Sequence, residues 1–178
     1  MLSGQALHKG FAVVALMFLC LTAATPSAAR ESRPPLGLQL YCLQHKGACS
    51  NAAATSILAS AELVSLLRSV NRRVNSAIQP RSDGGADSWS ANASAGDCED
   101  YVMAKRQHLI AKGVPAGALH IAYTTTRSGE GHAILVVQTD AGRLVLDNLV
   151  SEVKSLDASG YRVQRMSSGG LLQWVSQN

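Results

Sequence analysis

Apolar residues recur at Leu63, Leu66, Leu67, Val70, Val74 and Ile78. This three-and-four spacing predicts an amphipathic helix, with Arg68, Arg72, Arg73 and Gln79 on its wet face and Pro80 as its stop. An Ala-rich stretch over 51–60 predicts helix before it, either continuous across a bend or separate. Residues 81–96, rich in Ser, Asp, Gly and Asn, predict a long loop of the kind compact domains reserve for functional or mobile segments. Another helix is expected from Asp97 through Ile110, terminated by Gly113 and Pro115. Strand-like runs follow at 119–125, 132–139 and 143–146, the last two joined as a hairpin by Asp140-Ala141-Gly142; 161–166 and 171–175 offer two more. Helices followed by an antiparallel sheet make an α+β domain.

The apolar run at 11–21 has a different meaning. His8 and Lys9 precede it, and small residues ending in Ser27-Ala28-Ala29 follow it. That layout predicts a secretory signal peptide over 1–29, cut after Ala29. The run is shorter than the roughly 20 apolar residues a bilayer requires; an uncleaved anchor is the alternative. The mature chain is then 30–178, one domain in length, and periplasmic or secreted.

Charge adds little. The formal net charge is +4, and the basic residues are scattered, with Arg72-Arg73 and Lys105-Arg106 among the few pairs. No aromatic-interleaved basic stripe is present, so no nucleic-acid partner is expected. The cysteines say more. Cys20 leaves with the leader, and in an oxidising compartment Cys42 and Cys49 form the natural disulfide. Cys98 remains as an odd thiol.

Cys98 lies in Gly96-Asp97-Cys98-Glu99-Asp100-Tyr101, at the expected start of a helix. The helix dipole and free backbone N–H groups there favour thiolate, and the same N–H groups can bind an oxyanion. Asp97, Glu99 and Asp100 push the opposite way unless a cation or histidinium offsets them. His132 opens an apolar strand after Gly129-Glu130-Gly131, and Asp147 ends the next strand. With Val136 opposite Arg143, His132 falls directly across from Asp147 on one face, where the carboxylate can fix the imidazole's tautomer. Singly, the histidine reads as structural and the aspartate as turn chemistry; together, in the order Cys98, His132, Asp147, they point to nucleophilic catalysis. A zinc site at Cys98 and His132 lacks further ligands at the right spacing. Oxygen ligands for a hard cation are better represented, because Asp97, Glu99 and Asp100 follow a loop carrying Asp83 and Asp87.

Ala95-Gly96-Asp97-Cys98-Glu99-Asp100-Tyr101, Gly129-Glu130-Gly131-His132-Ala133 and Leu146-Asp147-Asn148 together resemble the bacterial transglutaminase-like cysteine peptidases. The resemblance extends from about Leu36 to the C-terminus and includes Arg72-Arg73-Val74-Asn75 and Ser88-Trp89. It implies a papain/transglutaminase-like core, with N-terminal helices and a catalytic helix packed on an antiparallel sheet. It assigns Cys98 as nucleophile, His132 as base and Asp147 as the orienting acid of a cysteine endopeptidase working through a thioester. The best understood branch is a periplasmic, calcium-dependent protease that releases a large biofilm adhesin and is sequestered by a membrane receptor for cyclic di-GMP. By that likeness calcium falls to Asp97 and Glu99, a cell-surface adhesin becomes the protein substrate, and an inner-membrane receptor the partner. No organic cofactor is called for. Acyl transfer to an amine uses the same acyl-enzyme and is the competing activity; a non-catalytic binding module is the third reading.

Overall fold

The computed structural model describes Met1 and residues 30–50, 54–85 and 87–177. The leader expected over 1–29 lies outside the described residues, apart from Met1. After β1 (Glu31–Ser32), Pro34 and Pro35 lead into α1 (Leu36–Gln44), a helix the Pro- and Cys-rich sequence gave no reason to expect. A short 3-10 turn, Lys46–Cys49, closes against it through the disulfide Cys42–Cys49. The helix expected over 51–60 does not form in its described part. Residues 54–60 have no helix, and Ile57 instead bridges Thr139. Competition from these tertiary backbone bonds overrides the weak alanine preference.

The amphipathic segment is one helix, α2 (Ala61–Ala77). Ser60 caps it by accepting a hydrogen bond from the Leu63 N–H at 3.1 Å, satisfying one of the free donors at a helix start. Leu63, Leu67, Val70 and Val74 are buried, as the spacing requires. The following loop is pinned at both ends by a parallel pair, β2 (Gln79–Pro80) with β3 (Ala95–Gly96). Then comes α3 (Cys98–Ala111), buried on almost every side. Gly113, at φ +88°, ends it: its N–H bonds Ile110 O while the Val114 N–H reaches back to Leu109 O. This paired reversal needs a left-handed residue, hence glycine.

Residues 116–118 form a 3-10 turn, and the remaining strands complete the sheet: β4 (Leu119–Thr125), β5 (Gly131–Thr139), β6 (Gly142–Leu146), β7 (Lys154–Ser155), β8 (Arg165–Ser167) and β9 (Trp174–Ser176). A single turn of helix, α4 (Leu156–Ser159), follows β7. The strand order is β1-β9-β8-β4-β5-β6-β7, with every neighbouring pair antiparallel. One face carries Ile121, Ala133, Leu135, Val137 and Leu146 into the main core under the helices. The other carries Ala122, Ile134, Val136 and Val145 into a smaller cluster with Met166. The fold is thus mixed helix and antiparallel sheet, as expected.

The hairpin register needs one correction. β5 runs on to Thr139, which pairs with Gly142, so only Asp140 and Ala141 form the turn. Val136 therefore faces Val145 instead of Arg143, and the ladder is offset by two residues from the expected one. Continued by one pair, this register sets Asp147 across from Ile134, diagonal to His132. A shift of two keeps every side chain on its original face, whereas a shift of one would reverse them all.

Candidate active site

The N-terminus of α3 abuts the start of β5. Ala133 leads its strand's core face into the cluster against which Cys98 packs. The Ala133 backbone N–H lies against the sulfur and favours thiolate. Cys98 thus packs at the end of β5 where His132 stands, one residue before Ala133. Gly96 permits the tight entry to α3, since a Cβ there would collide with the Asp100 carboxylate.

His132 and Asp147 are both buried, and Nε2 of the imidazole lies 2.8 Å from Asp147 Oδ1. Burial would push the Asp147 carboxyl upward. Hydrogen bonds from His132, Tyr161 and the Leu149 N–H outweigh that and hold it below the ordinary value. An ionised carboxylate only accepts, so His132 carries its proton on Nε2 and leaves Nδ1 with the basic lone pair. Two further groups fix the acid. Tyr161 donates its hydroxyl to Asp147 Oδ2 at 2.5 Å, its ring centroid 5.8 Å from the imidazole. Asn75 of α2 donates to the Asp147 carbonyl at 2.8 Å.

The acids around Cys98 divide between two tasks. Glu99 Oε2 accepts the Cys98 thiol at 2.8 Å, and its Oε1 accepts the Tyr123 hydroxyl at 2.8 Å. Burial first, and Glu99 second, push the Cys98 thiol well above its usual value. In this arrangement burial and Glu99 outweigh the Ala133 N–H. Asp97 instead gathers with Asp83 and Asp100, one carboxylate oxygen from each lying within 4.8 Å of the others. The loop is folded around these acids: the Ser88 N–H donates to Asp83 at 2.6 Å and the Ser90 N–H to Asp100 at 2.7 Å. Asp97 Oδ1 is buried without a partner among the described residues, and its carboxyl is pushed up to about 7 by burial, Glu99 and Asp83. A trio of hard oxygens with an orphaned buried one fits a divalent cation of the calcium type. The pair expected from the sequence, Asp97 and Glu99, is therefore only half represented in the trio.

Tyr161 and Tyr123 have no signal in the sequence, and Asn75 stands in the family-like run Arg72-Arg73-Val74-Asn75 without a role assigned to it. Tyr161 follows a glycine with no spacing that ties it to Asp147, and nothing in the helical spacing of Asn75 ties it to the Asp147 carbonyl.

The profile of a family described as bacterial transglutaminase-like cysteine proteinases matches residues 28–178. Among solved structures, EGTA-treated LapG of Legionella pneumophila aligns with a TM-score of 0.56 at 23% identity, covering 65% of this chain and 68% of that one. Calcium-bound LapG of the same organism aligns with a TM-score of 0.53 at 27% identity, covering 58% of this chain and 64% of that one. A third LapG structure gives a TM-score of 0.53 at 25% identity, with 58% and 63% covered. The search of the curated proteins finds no match.

Proposed function

The chain belongs to the bacterial transglutaminase-like cysteine proteinases and is a cysteine peptidase; on that premise we propose that Cys98, His132 and Asp147 are its triad in an exported endopeptidase. The observation that carries this reading is the buried 2.8 Å contact between His132 Nε2 and Asp147, at the strand end where Cys98 packs. With Asp147 holding the Nε2 proton, Nδ1 takes the proton of the thiol once Cys98 has turned away from Glu99. The thiolate attacks the substrate carbonyl carbon, and the oxyanion is met by backbone N–H groups at the start of α3. Imidazolium, stabilised by Asp147, protonates the amine as the C–N bond breaks and a thioester forms. Water, deprotonated by His132, then releases the acid and regenerates the thiol.

Asp83, Asp97 and Asp100 would hold calcium, as the calcium-bound form of LapG suggests. Bound there, the ion would offset the negative charge that keeps the Cys98 thiol protonated. Export is supported by the apolar run at 11–21, cut after Ala29, and by the Cys42–Cys49 disulfide, which suits a periplasmic or extracellular setting. Among the described residues, no helix is long and apolar enough to cross a membrane. A cell-surface adhesin as substrate and an inner-membrane receptor as partner are carried over from the family resemblance.

A peptide library incubated with the protein, with and without a primary amine, tests the chemistry. Hydrolysed products present in wild type and absent in Cys98→Ala and His132→Ala are expected. Activity persisting in Cys98→Ala, or products formed mainly as amine adducts, would defeat the endopeptidase mechanism. Proteins shed by cells carrying wild type but not Cys98→Ala would identify the substrate.

A further inference from the structure

Eight residues along α3 from Cys98, a rise of about 12 Å, the helix carries a cation that the peptidase chemistry does not use. Arg106 is only 4% exposed and forms no ion pair among the described residues. Nη1 and Nη2 point to the carbonyls of Ala48 and Ala116 at 3.4 Å each, long for such bonds, and buried Nε has no partner. Two stretched carbonyl contacts are poor compensation for a guanidinium taken out of water. Burial pushes its pKa down to about 10, which leaves it charged at neutral pH.

Arg106 lines a cavity of about 580 Å³. Met103 and Ile110 share its floor on α3, Tyr41 and His45 come from α1 and its end, and Trp89 closes it from the loop before β3. None of its described lining residues is Asp or Glu. The walls are fixed in advance. The Cys42–Cys49 disulfide ties α1 to the following turn, and the Tyr41 and His45 rings stack at 4.4 Å. Gly37 packs so closely on the loop that a Cβ there would lie 2.5 Å from both Asp87 O and Trp89 Cδ1. Trp89 is held in turn by its N–H bond to Asp87 at 2.6 Å.

We propose that this cavity is a second binding site, taking a carboxylate borne on an apolar body, with the carboxylate paired to Arg106. The planar guanidinium matches a carboxylate's two oxygens, and Tyr41, Trp89, Met103 and Ile110 match the body, while Gln44, Ser90, Asn92 and Gln107 leave the rest of the wall polar. A phosphate would demand more donors than one mid-helix cation, and the site is not at a helix N-terminus. The same chemistry is offered by the free C-terminus of a short peptide and by a small aliphatic acid. The disulfide and Trp89 thereby acquire a shared task, as the rigid walls of this pocket.

Isothermal titration of the Cys98→Ala protein tests the proposal independently of turnover. The probes are N-acetyl-leucyl-leucine and hexanoate, each against its own amide. An acid at least about tenfold tighter than its amide is expected, the peptide pair reporting the first source and the hexanoate pair the second. That preference should vanish in Arg106→Gln and also in Ala91→Phe, which fills the cavity and leaves Arg106 in place. Should Arg106→Gln not fold, Ala91→Phe alone decides. Equal binding of acids and amides, no binding at about 10 mM probe, or an acid preference surviving in either folded variant overturns the site.

Discussion

Tyr161 and His132 divide the Asp147 carboxylate between them, the phenol on Oδ2 at 2.5 Å and the imidazole on Oδ1 at 2.8 Å. Each oxygen is thereby held, and the acid stays charged despite its burial. In Tyr161→Phe the ring that packs beside His132 remains and only the donor is lost. A bond to a charged group is worth about 1.5–3 kcal/mol, so kcat/KM should fall by about tenfold or more. Losing the donor raises the Asp147 pKa, so the acid limb of the pH profile should move to higher pH. A rate loss with an unmoved profile would make Tyr161 a packing residue only.

The Asp147 and Asp97 carboxyls bear on stability in opposite directions. Asp147, held below 3.8, contributes stability present above that value and lost as pH falls through its folded pKa. Asp97, raised from 3.8 to about 7, contributes stability present below 3.8 and lost as pH rises through about 7. Thermal melts in EGTA should therefore show the Tm declining from mildly acidic pH toward and beyond neutrality. Asp97→Asn should flatten that decline, and so should calcium. A decline of equal steepness in all three preparations would remove Asp97 from the explanation.

Glu99 is expected to restrain the thiol. In Glu99→Gln the charge that pushes Cys98 upward disappears, and alkylation by iodoacetamide near neutral pH should accelerate by about tenfold for each pKa unit recovered. Calcium added to wild type should act in the same direction. Wild type reacting as fast as Glu99→Gln in EGTA would show that the carboxylate exerts no such hold.

Opening the disulfide should weaken the domain without touching Cys98, His132 or Asp147. A loop of this size is worth about 2–3 kcal/mol in chain entropy, so Cys42→Ser with Cys49→Ser should lower the Tm by roughly 5–10 °C. Calorimetry checks the shift. An unaltered Tm would mean that α1 docks without the tether.

The sequence revealed what local periodicity controls. α2, the Gly113 stop of α3, and strands β4 to β6 follow from spacing and turn residues. The pairing of His132 with Asp147 on one face also followed, although their register did not. Turn length is decided by how far β5 runs, and nothing local shows that Thr139 still belongs to the strand. Residues 54–60 depart from the helix that alanine content predicts, because the Ile57 bridge to Thr139 is made across the fold. Asp83 joining Asp97 and Asp100, and Tyr161 reaching Asp147, are likewise meetings of distant segments. No periodicity records them.

The two-residue turn at Asp140 and Ala141 makes the hairpin act like a reading frame. Lengthening it by one residue while β5 stays fixed would present Asp147 to the wrong side of the sheet, with Cys98, His132 and Asp147 all still in the chain. Lengthening it by two would restore the side and merely slide the acid along its strand. Tolerance to change at this exposed tip should thus alternate between odd and even insertions, so that a surface loop at the opposite end of β5 from His132 sets the placement of Asp147 by its length alone.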